Sequence, residues 1–225
     1  MVRLVLFDID GTLIHTNAAG ITAFGEAFRE VFHYPTAVRG VSFAGRTDTG
    51  LARQILRAHG LEPAPADFDR FFACYLGWLQ HILGRVGGGI FEGVGPFMAD
   101  LRAQPEPPSF GLLTGNIRRG AEIKLGHFGI WNDFEFGAFA DDHENRNEIA
   151  RVAQKRGSER MKNELSGDEI LVIGDTPLDI ECGRAIGARV LAVATGHFTV
   201  DQLKDHKPDW AVKSLAEVPA TEALG

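Results

Sequence analysis

The sequence has few cysteines, which argues against a fold held together by disulfides. Only Cys74 and Cys182 occur among its 225 residues, and each lies in an apolar pattern with helical periodicity. Such surroundings favour buried free thiols over a disulfide. The first residues carry an early charge and run directly into an apolar strand, so no signal peptide is predicted. We therefore expect a cytoplasmic location.

The sequence also lacks runs of basic residues and apolar runs long enough to cross a membrane. Its 23 lysines and arginines are outnumbered by 30 aspartates and glutamates, and the net charge is −7. An acidic chain of this kind is a poor candidate for nucleic-acid binding. We expect neither nucleic acid nor a membrane as partner. An anionic small molecule remains compatible, because one metal ion and a few nearby cations can set the field in a pocket.

What the sequence does contain, after residue 90, is a regular alternation of apolar strands and helices. Strands are predicted at residues 3–8, 109–113, 134–139, 170–173, 190–194 and 210–212. This alternation predicts an α/β fold with a doubly wound, mainly parallel sheet and helices on both faces. Residues 15–89 show only helical patterns. We therefore predict a core of residues 1–14 and 90–225, interrupted by an all-helical unit of residues 15–89.

The helical unit begins with an amphipathic pattern. One face of its first helix is predicted to carry Ile21, Phe24, Phe28, Val31 and Phe32. Thr16 or Asn17 could cap that helix, and Thr47 or Asp48 marks the start of the second. The three glycines at 87–89 predict at least a flexible loop and could form a hinge.

Two carboxylates follow the first strand. The run Val5 to Phe7 leads into Asp8, Ile9, Asp10 and Gly11. Two carboxylates this close repel each other unless a cation or a proton intervenes. The segment therefore predicts a hard-cation site at the carboxyl end of a buried strand, where α/β sheets place their chemistry. The alternative is an ordinary Asp-Gly turn.

Two later strands also end in polar residues. Thr114 ends one strand and is followed by Gly115, Asn116 and a helix, where a hydroxyl beside free N–H groups suits a phosphate oxygen. Asp175 follows Gly174 at the end of another strand, in a position typical of a metal ligand, and Asp179 lies in the next helix. The alternative for Thr114 and Asn116 is helix capping. The alternative for Asp179 is compensation of the helix dipole.

A charged segment at residues 141–146 follows the third core strand. Its last residue, Arg146, could bridge a carboxylate and a phosphate. The alternative is a solvated loop with a surface arginine.

Taken in order, these segments resemble the haloacid dehalogenase-like hydrolase superfamily. The resemblance rests on Asp8-x-Asp10-Gly-Thr-Leu, on Thr114-Gly-Asn and on Gly-Asp175-x-x-x-Asp179. It covers essentially the whole chain. The helical unit after the first strand is similar to the helical cap of members such as phosphoglycolate phosphatase and β-phosphoglucomutase.

The resemblance implies a role for each of these positions. Asp8 would be the nucleophile that forms an aspartyl-phosphate, and its carboxylate would bind Mg²⁺. Asp10 would act as general acid and base, with its backbone carbonyl as a second metal ligand. Thr114, with nearby backbone N–H groups, would bind the phosphoryl group. Asp175 would be the third protein ligand to Mg²⁺, and Asp179 would support the metal's water shell or the loop.

One departure from the family concerns its cation. Relatives usually have a lysine after the third core strand, often followed by proline, whereas this chain has no such pair and Arg146 is the nearest match. An arginine would keep the positive charge that neutralises Asp8 and the phosphate. Lys124 and Lys155 are the other candidates, but helix periodicity predicts that both are surface residues.

The function that the resemblance favours is a Mg²⁺-dependent phosphatase for a small phosphorylated metabolite, acting as a monomer or homodimer. The substrate would contact Thr114, Gly115 and Asn116, and Arg46 in the segment 43–48 of the cap. The alternative on the same scaffold is a phosphomutase for a sugar phosphate. A remote alternative is a non-catalytic binding protein, which would be expected to lack Asp8 or Asp10. Dehalogenases lack the acid that Asp10 supplies, and a phosphonatase needs a cap lysine, whereas residues 15–89 contain none.

Overall fold

The computed structural model describes residues 1–224 of the chain, and Gly225, the last residue of the predicted core range, lies outside them. The strands of this part are β1 (Leu4–Phe7), β2 (Ile14–His15), β3 (Gly89–Ile90), β4 (Ser109–Leu113), β5 (Phe136–Ala138), β6 (Ile170–Gly174), β7 (Arg189–Val193) and β8 (Trp210–Val212). The α-helices are α1 (Ala19–Phe32), α2 (Asp48–Ala58), α3 (Pro65–Val86), α4 (Val94–Arg102), α5 (Arg118–His127), α6 (Arg146–Met161), α7 (Pro177–Ala185), α8 (Val200–Lys204) and α9 (Ala220–Leu224).

Six strands form one parallel sheet in the order β5-β4-β1-β6-β7-β8. The central strand β1 is fully buried because both faces of the sheet are covered. Its Val5 and Phe7 face the cluster formed with α4, α5 and α9, whereas Leu4 and Leu6 face α6 and α7. The doubly wound α/β fold predicted from the sequence is confirmed.

Helices α1, α2 and α3 follow one another between β2 and β3 and share a hydrophobic cluster, which Ile117 and Ala140 also join. Its centre is aromatic, with the ring centroids of Phe24 and Phe71 4.8 Å apart and those of Phe28 and Phe71 4.5 Å apart. Aromatic rings bury large areas and pack edge to face, which allows a small helical unit to form a core. We call residues 15–89 the helical insert.

The strands β2 and β3 were not predicted from the sequence. They form an antiparallel pair in which Ile14 lies opposite Ile90 and His15 opposite Gly89. The first strand leads into the helical insert and the second leads out of it. Gly89 of the predicted flexible loop is therefore part of a hydrogen-bonded ladder, while Gly87 and Gly88 adopt positive φ angles of 70° and 137°.

Some local predictions were wrong. The residue that precedes α1 is Ala18, in a left-handed conformation, and neither Thr16 nor Asn17 caps the helix. Phe24 and Phe28 are buried as predicted, but Ile21 is exposed. Helix α2, in contrast, is capped by Thr47 as predicted, through a bond from the Gly50 N–H to its hydroxyl.

Both cysteines are free thiols, as the sequence predicted. Cys182 is buried as expected, whereas Cys74 is only half-buried. Within residues 1–224, no helix combines the length and apolarity that a membrane crossing requires.

Candidate active site

The polar residues predicted at strand ends meet at the carboxyl edge of the sheet. Asp8 follows β1, Thr114 follows β4 and Asp175 follows β6, and these three strands are neighbours in the sheet. Adjacent parallel strands that end together bring their last residues into one crevice. The fold thus assembles side chains that lie far apart in sequence.

Three carboxylates lie together in this crevice. Oxygens of Asp8, Asp175 and Asp179 are all within 4.8 Å of one another, and all three residues are buried. Burial raises the pKa of Asp8 to about 6, even though Arg146 opposes the shift. Burial, with the charges of Asp179 and Asp8, raises the pKa of Asp175 to about 9. Without a bound cation, Asp175 would therefore keep its proton at neutral pH, because Arg146 alone does not offset the burial of three neighbouring carboxylates.

The backbone closes tightly around Asp175. A Cβ atom added to Gly11 would lie 2.3 Å from Asp175 Oδ2, and one added to Gly196 would lie 1.8 Å from the same oxygen. The Thr12 hydroxyl donates to Asp175 Oδ1 at 3.3 Å. Gly196, in the loop after β7, was not identified from the sequence, because only the tertiary structure brings it to Asp175.

Arg146 is the first residue of α6, and its buried guanidinium spans the site. Its Nη2 lies 2.9 Å from Asp8 Oδ1 and also contacts Asp179 Oδ1. Its Nη1 donates to the carbonyl of Gly45 in the helical insert at 3.0 Å. Burial alone would lower the pKa of Arg146, but Asp179 and Asp8 raise it well above its ordinary value. The predicted alternative, a solvated surface arginine, is therefore wrong.

Asp179 is bound from two sides. Its Oδ2 accepts hydrogen bonds from the N–H and hydroxyl of Thr176 at 2.9 and 2.7 Å, in a capping box at the start of α7. Its Oδ1 accepts from Arg146. These contacts orient Arg146 and α7.

Asp10 lies across the crevice and pairs with Lys124, whereas Asp8 pairs with Arg146. Its Oδ2 accepts from Lys124 Nζ at 2.6 Å and from Asn116 Nδ2 at 2.9 Å. Lys124, from α5, is buried, so its predicted surface position is wrong. Lys155 is exposed as predicted, with 77% of its side chain accessible.

Thr114 and Asn116 form a small network beside Asp10. The Thr114 hydroxyl accepts from the Asn116 N–H at 3.3 Å and from Asn116 Nδ2 at 2.9 Å. Thr114 is completely buried. The predicted alternative, capping of the following helix, is not what these side chains do, since α5 begins after Ile117 without a side-chain cap.

The segment 43–48 of the helical insert packs directly on this network. The Asp48 N–H donates to the Gly115 carbonyl at 2.7 Å, and a Cβ on Gly115 would lie 2.1 Å from the carbonyl oxygen of Arg46. A Cβ on Gly45, whose φ is 69°, would likewise lie too close to the hydroxyl oxygen of Thr176. Glycine is required at both positions because any side chain would push the insert away. Arg46 itself is half-buried and bonds Gln54.

Between the insert and the sheet lies a cavity of about 380 Å³. Its floor is lined by Asp8, Asp10, Asp175, Lys124 and Arg146. Its roof is largely apolar and comes from the insert, with Ile21, Phe24, Phe43, Leu51 and Tyr75. Ile21, exposed on α1, is therefore one wall of this cavity. A volume of this size suits a small molecule with one charged end.

Asp48 is a buried carboxylate on the insert side of the cavity. It is 9% exposed, and its Oδ2 accepts from the Ile117 N–H at 2.9 Å. Burial raises the pKa of Asp48 from 3.8 to about 6, although Lys124 and the Ile117 N–H oppose the shift. The folded state thus binds this proton more tightly than the unfolded chain.

We expect Asp48→Asn to stabilise the protein at neutral pH. Above pH 6 the buried charge of Asp48 destabilises the fold, and this effect disappears as the pH falls from about 6 to about 4. Asparagine keeps an oxygen for the Ile117 N–H, so the free energy of unfolding should rise by about 2 kcal/mol at pH 7.5 and hardly change near pH 4. Urea unfolding with chelator at both pH values measures this. Asp69→Asn, at an exposed position of α3, is the control. A less stable Asp48→Asn protein at pH 7.5 would contradict the prediction.

The donor set of the crevice fits a hard divalent cation. Asp8, Asp175 and Asp179 each place a carboxylate oxygen within 4.8 Å of the others, and Mg²⁺ prefers oxygen donors of this kind. The pKa values of Asp8 and Asp175 are raised mainly by burial, against the charge of Arg146, so a bound cation would favour the ionised forms of both. Asp179 is already bound by Arg146 and Thr176, so it is less available as a direct ligand.

Comparisons with known proteins identify the family of this chain. The family described as "Haloacid dehalogenase-like hydrolase" matches residues 5–193. "Probable phosphatase IndB" of Dickeya dadantii is 25% identical, over 97% of this chain and 92% of that protein. "Tyrosine-protein kinase PtkA" of Mycobacterium tuberculosis is 28% identical, over 99% of this chain and 72% of that protein. The crystal structure of CbbY from Rhodobacter sphaeroides, in complex with phosphate, has a TM-score of 0.74 at 16% identity and covers 96% of each chain.

Proposed function

Because the chain belongs to the haloacid dehalogenase-like hydrolase family, it is a hydrolase, and we propose that it is a Mg²⁺-dependent phosphatase acting on a small phosphomonoester through an aspartyl-phosphate. One observation carries the proposal. The Asp8 carboxylate lies on the floor of a covered cavity, with Arg146 2.9 Å away and Asp10 two residues further along the chain. This combination gives a nucleophile, a cation and a proton carrier within one site.

We also propose that the helical insert is a cap domain over a core of residues 1–14 and 90–225. Its apolar roof would exclude water and bulky substrates from the cavity. Arg46 and Asp48 would face the part of the substrate that leaves as an alcohol. The network of Thr114 and Asn116, with the backbone of Gly115, would hold the phosphoryl group.

In the first step, an oxygen of Asp8 attacks phosphorus and the bond from phosphorus to the ester oxygen breaks. Asp10, protonated, gives its proton to that oxygen, and the alcohol leaves. Arg146 holds Asp8 in place and offsets the charge of the incoming phosphate, which carries about two negative charges at neutral pH. The product of this step is an aspartyl-phosphate on Asp8.

In the second step, Asp10 takes a proton from water. The water oxygen forms a bond to phosphorus, and the bond between phosphorus and the Asp8 oxygen breaks. Inorganic phosphate is released, and both carboxyl groups return to their initial states. Bound Mg²⁺, held by Asp8, Asp175 and the Asp10 carbonyl, would supply positive charge against the phosphate oxygens.

The direct test is turnover of p-nitrophenyl phosphate, followed by a screen of phosphorylated metabolites, each with and without Mg²⁺. We expect release of inorganic phosphate. Conversion of a sugar phosphate into its isomer, with no net phosphate release, would instead assign the phosphomutase alternative. Lack of turnover on every phosphate ester would overturn the proposal.

A prediction about the metal follows from the carboxylate cluster. A chelator should remove activity, Mg²⁺ should restore it, and Ca²⁺ should restore it poorly, because its looser coordination holds the nucleophile less well in line. Asp175→Asn should raise the Mg²⁺ concentration needed for half-maximal activity by at least about tenfold.

Thermal unfolding gives a readout that is independent of turnover. Mg²⁺ should raise the melting temperature of the wild type, because it neutralises the buried carboxylates. The shift should shrink in Asp175→Asn and stay unchanged in Asp100→Asn, an exposed position of α4. Equal shifts in all three proteins would mean that Mg²⁺ binds at a site that does not include Asp175.

A further inference from the structure

Lys124 is a second buried cation, to which the proposed roles of Asp8, Asp10 and Arg146 assign no function. Its side chain is only 6% exposed, whereas the side chain of its partner Asp10 is 41% exposed. Lysine is rarely buried unless it is paired, because removing an ammonium group from water is costly. Its position therefore needs a reason beyond packing.

The pairing of Lys124 forms a closed triangle. Its Nζ donates to Asp10 Oδ2 and to Asn116 Oδ1, each at 2.6 Å, and Asn116 Nδ2 donates to the same Asp10 oxygen at 2.9 Å. Both side-chain donors thus hold Asp10 Oδ2. The other carboxylate oxygen is left to exchange a proton with substrate or water.

Helix α1 of the insert passes close to Lys124 at Gly20. A Cβ atom on Gly20 would lie 3.2 Å from Lys124 Nζ and 3.9 Å from the Tyr75 hydroxyl. Helix α1 can therefore pass close to the ammonium group because it has glycine at this point. The close approach of α1 limits the space around the Lys124 ammonium group, and that group lies within hydrogen-bonding distance of Asp10.

The two buried cations of the site serve different carboxylates. Arg146 contacts Asp8 and Asp179, on the side of the metal cluster. Lys124 contacts Asp10 and Asn116, on the side of the cavity where the leaving group would lie. Removing Lys124 should therefore affect proton transfer while leaving the environment of the nucleophile intact.

We propose that Lys124 is a positioning residue that, together with Asn116, fixes the Asp10 carboxyl group for proton transfer to the leaving oxygen and from water. This inference rests on the proposed phosphatase function. It makes a specific prediction: the loss of rate on removing Lys124 should be larger for an ester whose leaving oxygen needs a proton.

The test compares two esters in the first turnover of Lys124→Met. An alkyl phosphate needs a proton on its leaving oxygen, whereas p-nitrophenolate leaves without one. We expect the first-turnover rate to fall by about 10–100-fold for the alkyl ester and by less than about threefold for the aryl ester. The ratio of the two rates, measured in one sample, does not depend on the fraction of correctly folded protein. Lys155→Met, an exposed lysine on α6, should leave both rates unchanged.

A double-mutant cycle tests whether Lys124 acts through Asp10. In an Asp10→Asn background, adding Lys124→Met should change the alkyl rate by less than about twofold, because the group that it positions is gone. A further loss of tenfold or more, or equal losses for the two esters, would overturn the role of Lys124. A wild-type protein inactive on both esters would overturn the proposed function itself.

Discussion

Replacing Asp8 with asparagine should abolish turnover of every phosphate ester while leaving the fold intact. The amide has nearly the shape of the carboxylate but is a far poorer nucleophile, and it weakens metal binding. The fold should tolerate the change, because it removes one charge from a cluster of three buried carboxylates. Loss of the ion pair with Arg146 offsets part of that gain. We therefore expect a melting temperature close to that of the wild type.

Steady-state turnover of p-nitrophenyl phosphate measures the loss, and an acid quench identifies its cause. The wild type, quenched during turnover of a radiolabelled ester, should retain phosphate bound covalently to the chain, whereas Asp8→Asn should retain none. Near-normal activity of Asp8→Asn, or labelling of the variant, would refute the role of Asp8 as nucleophile.

The second large effect is expected at Arg146. In Arg146→Ala, Asp8, Asp175 and Asp179 lose the guanidinium that lies among them, and the incoming phosphate meets uncompensated charge. By comparison with other arginines that stabilise phosphoryl transfer, activity should fall by about 10³–10⁵-fold. Stability should also fall, because breaking a buried ion pair from one side leaves its partners unpaired.

Arg146→Lys separates charge from geometry. Lysine keeps the positive charge, but a single ammonium cannot reproduce the set of bonds to Asp8, Asp179 and the Gly45 carbonyl. We expect partial recovery of turnover relative to Arg146→Ala. Arg151→Ala, at an exposed position of the same helix, serves as the control. A nearly silent Arg146→Ala would mean that another cation, with Lys124 the first to be examined, neutralises the phosphate.

The sheet was predictable because its signals are local. β4 and β8 have the predicted bounds of 109–113 and 210–212, since continuous apolar runs bounded by polar or turn residues mark buried strands. The polar residues at the ends of β1, β4 and β6 were predictable for the same reason. Parallel strands of one sheet bring their carboxyl ends together, whichever helices connect them.

The parts that were missed depend on contacts between distant segments. Lys124 shares a buried helix face with Ala121 and Leu125. From sequence alone, a charged residue in such a helix is predicted to lie on the surface, because the pattern does not show that the insert covers it. The β2–β3 pair joins Ile14 to Ile90, across more than 70 residues, and is too short to leave a pattern. Ile21 fits an amphipathic face, yet it lines a cavity that only the folded insert creates.

The β2–β3 pair also bears on how such enzymes diversify. All six strands of the main sheet lie outside residues 15–89, and the chain enters and leaves the insert through two adjacent, paired strands. An insertion attached at one point can be lengthened, shortened or exchanged without disturbing the register of the sheet. Descendants of one ancestor can thus acquire new substrates through the roof of the cavity while inheriting the carboxylates on its floor. Lys124 crosses that division, since it belongs to the inherited core but packs against helix α1, so an exchanged insert would have to leave comparable room for the ammonium group near position 20.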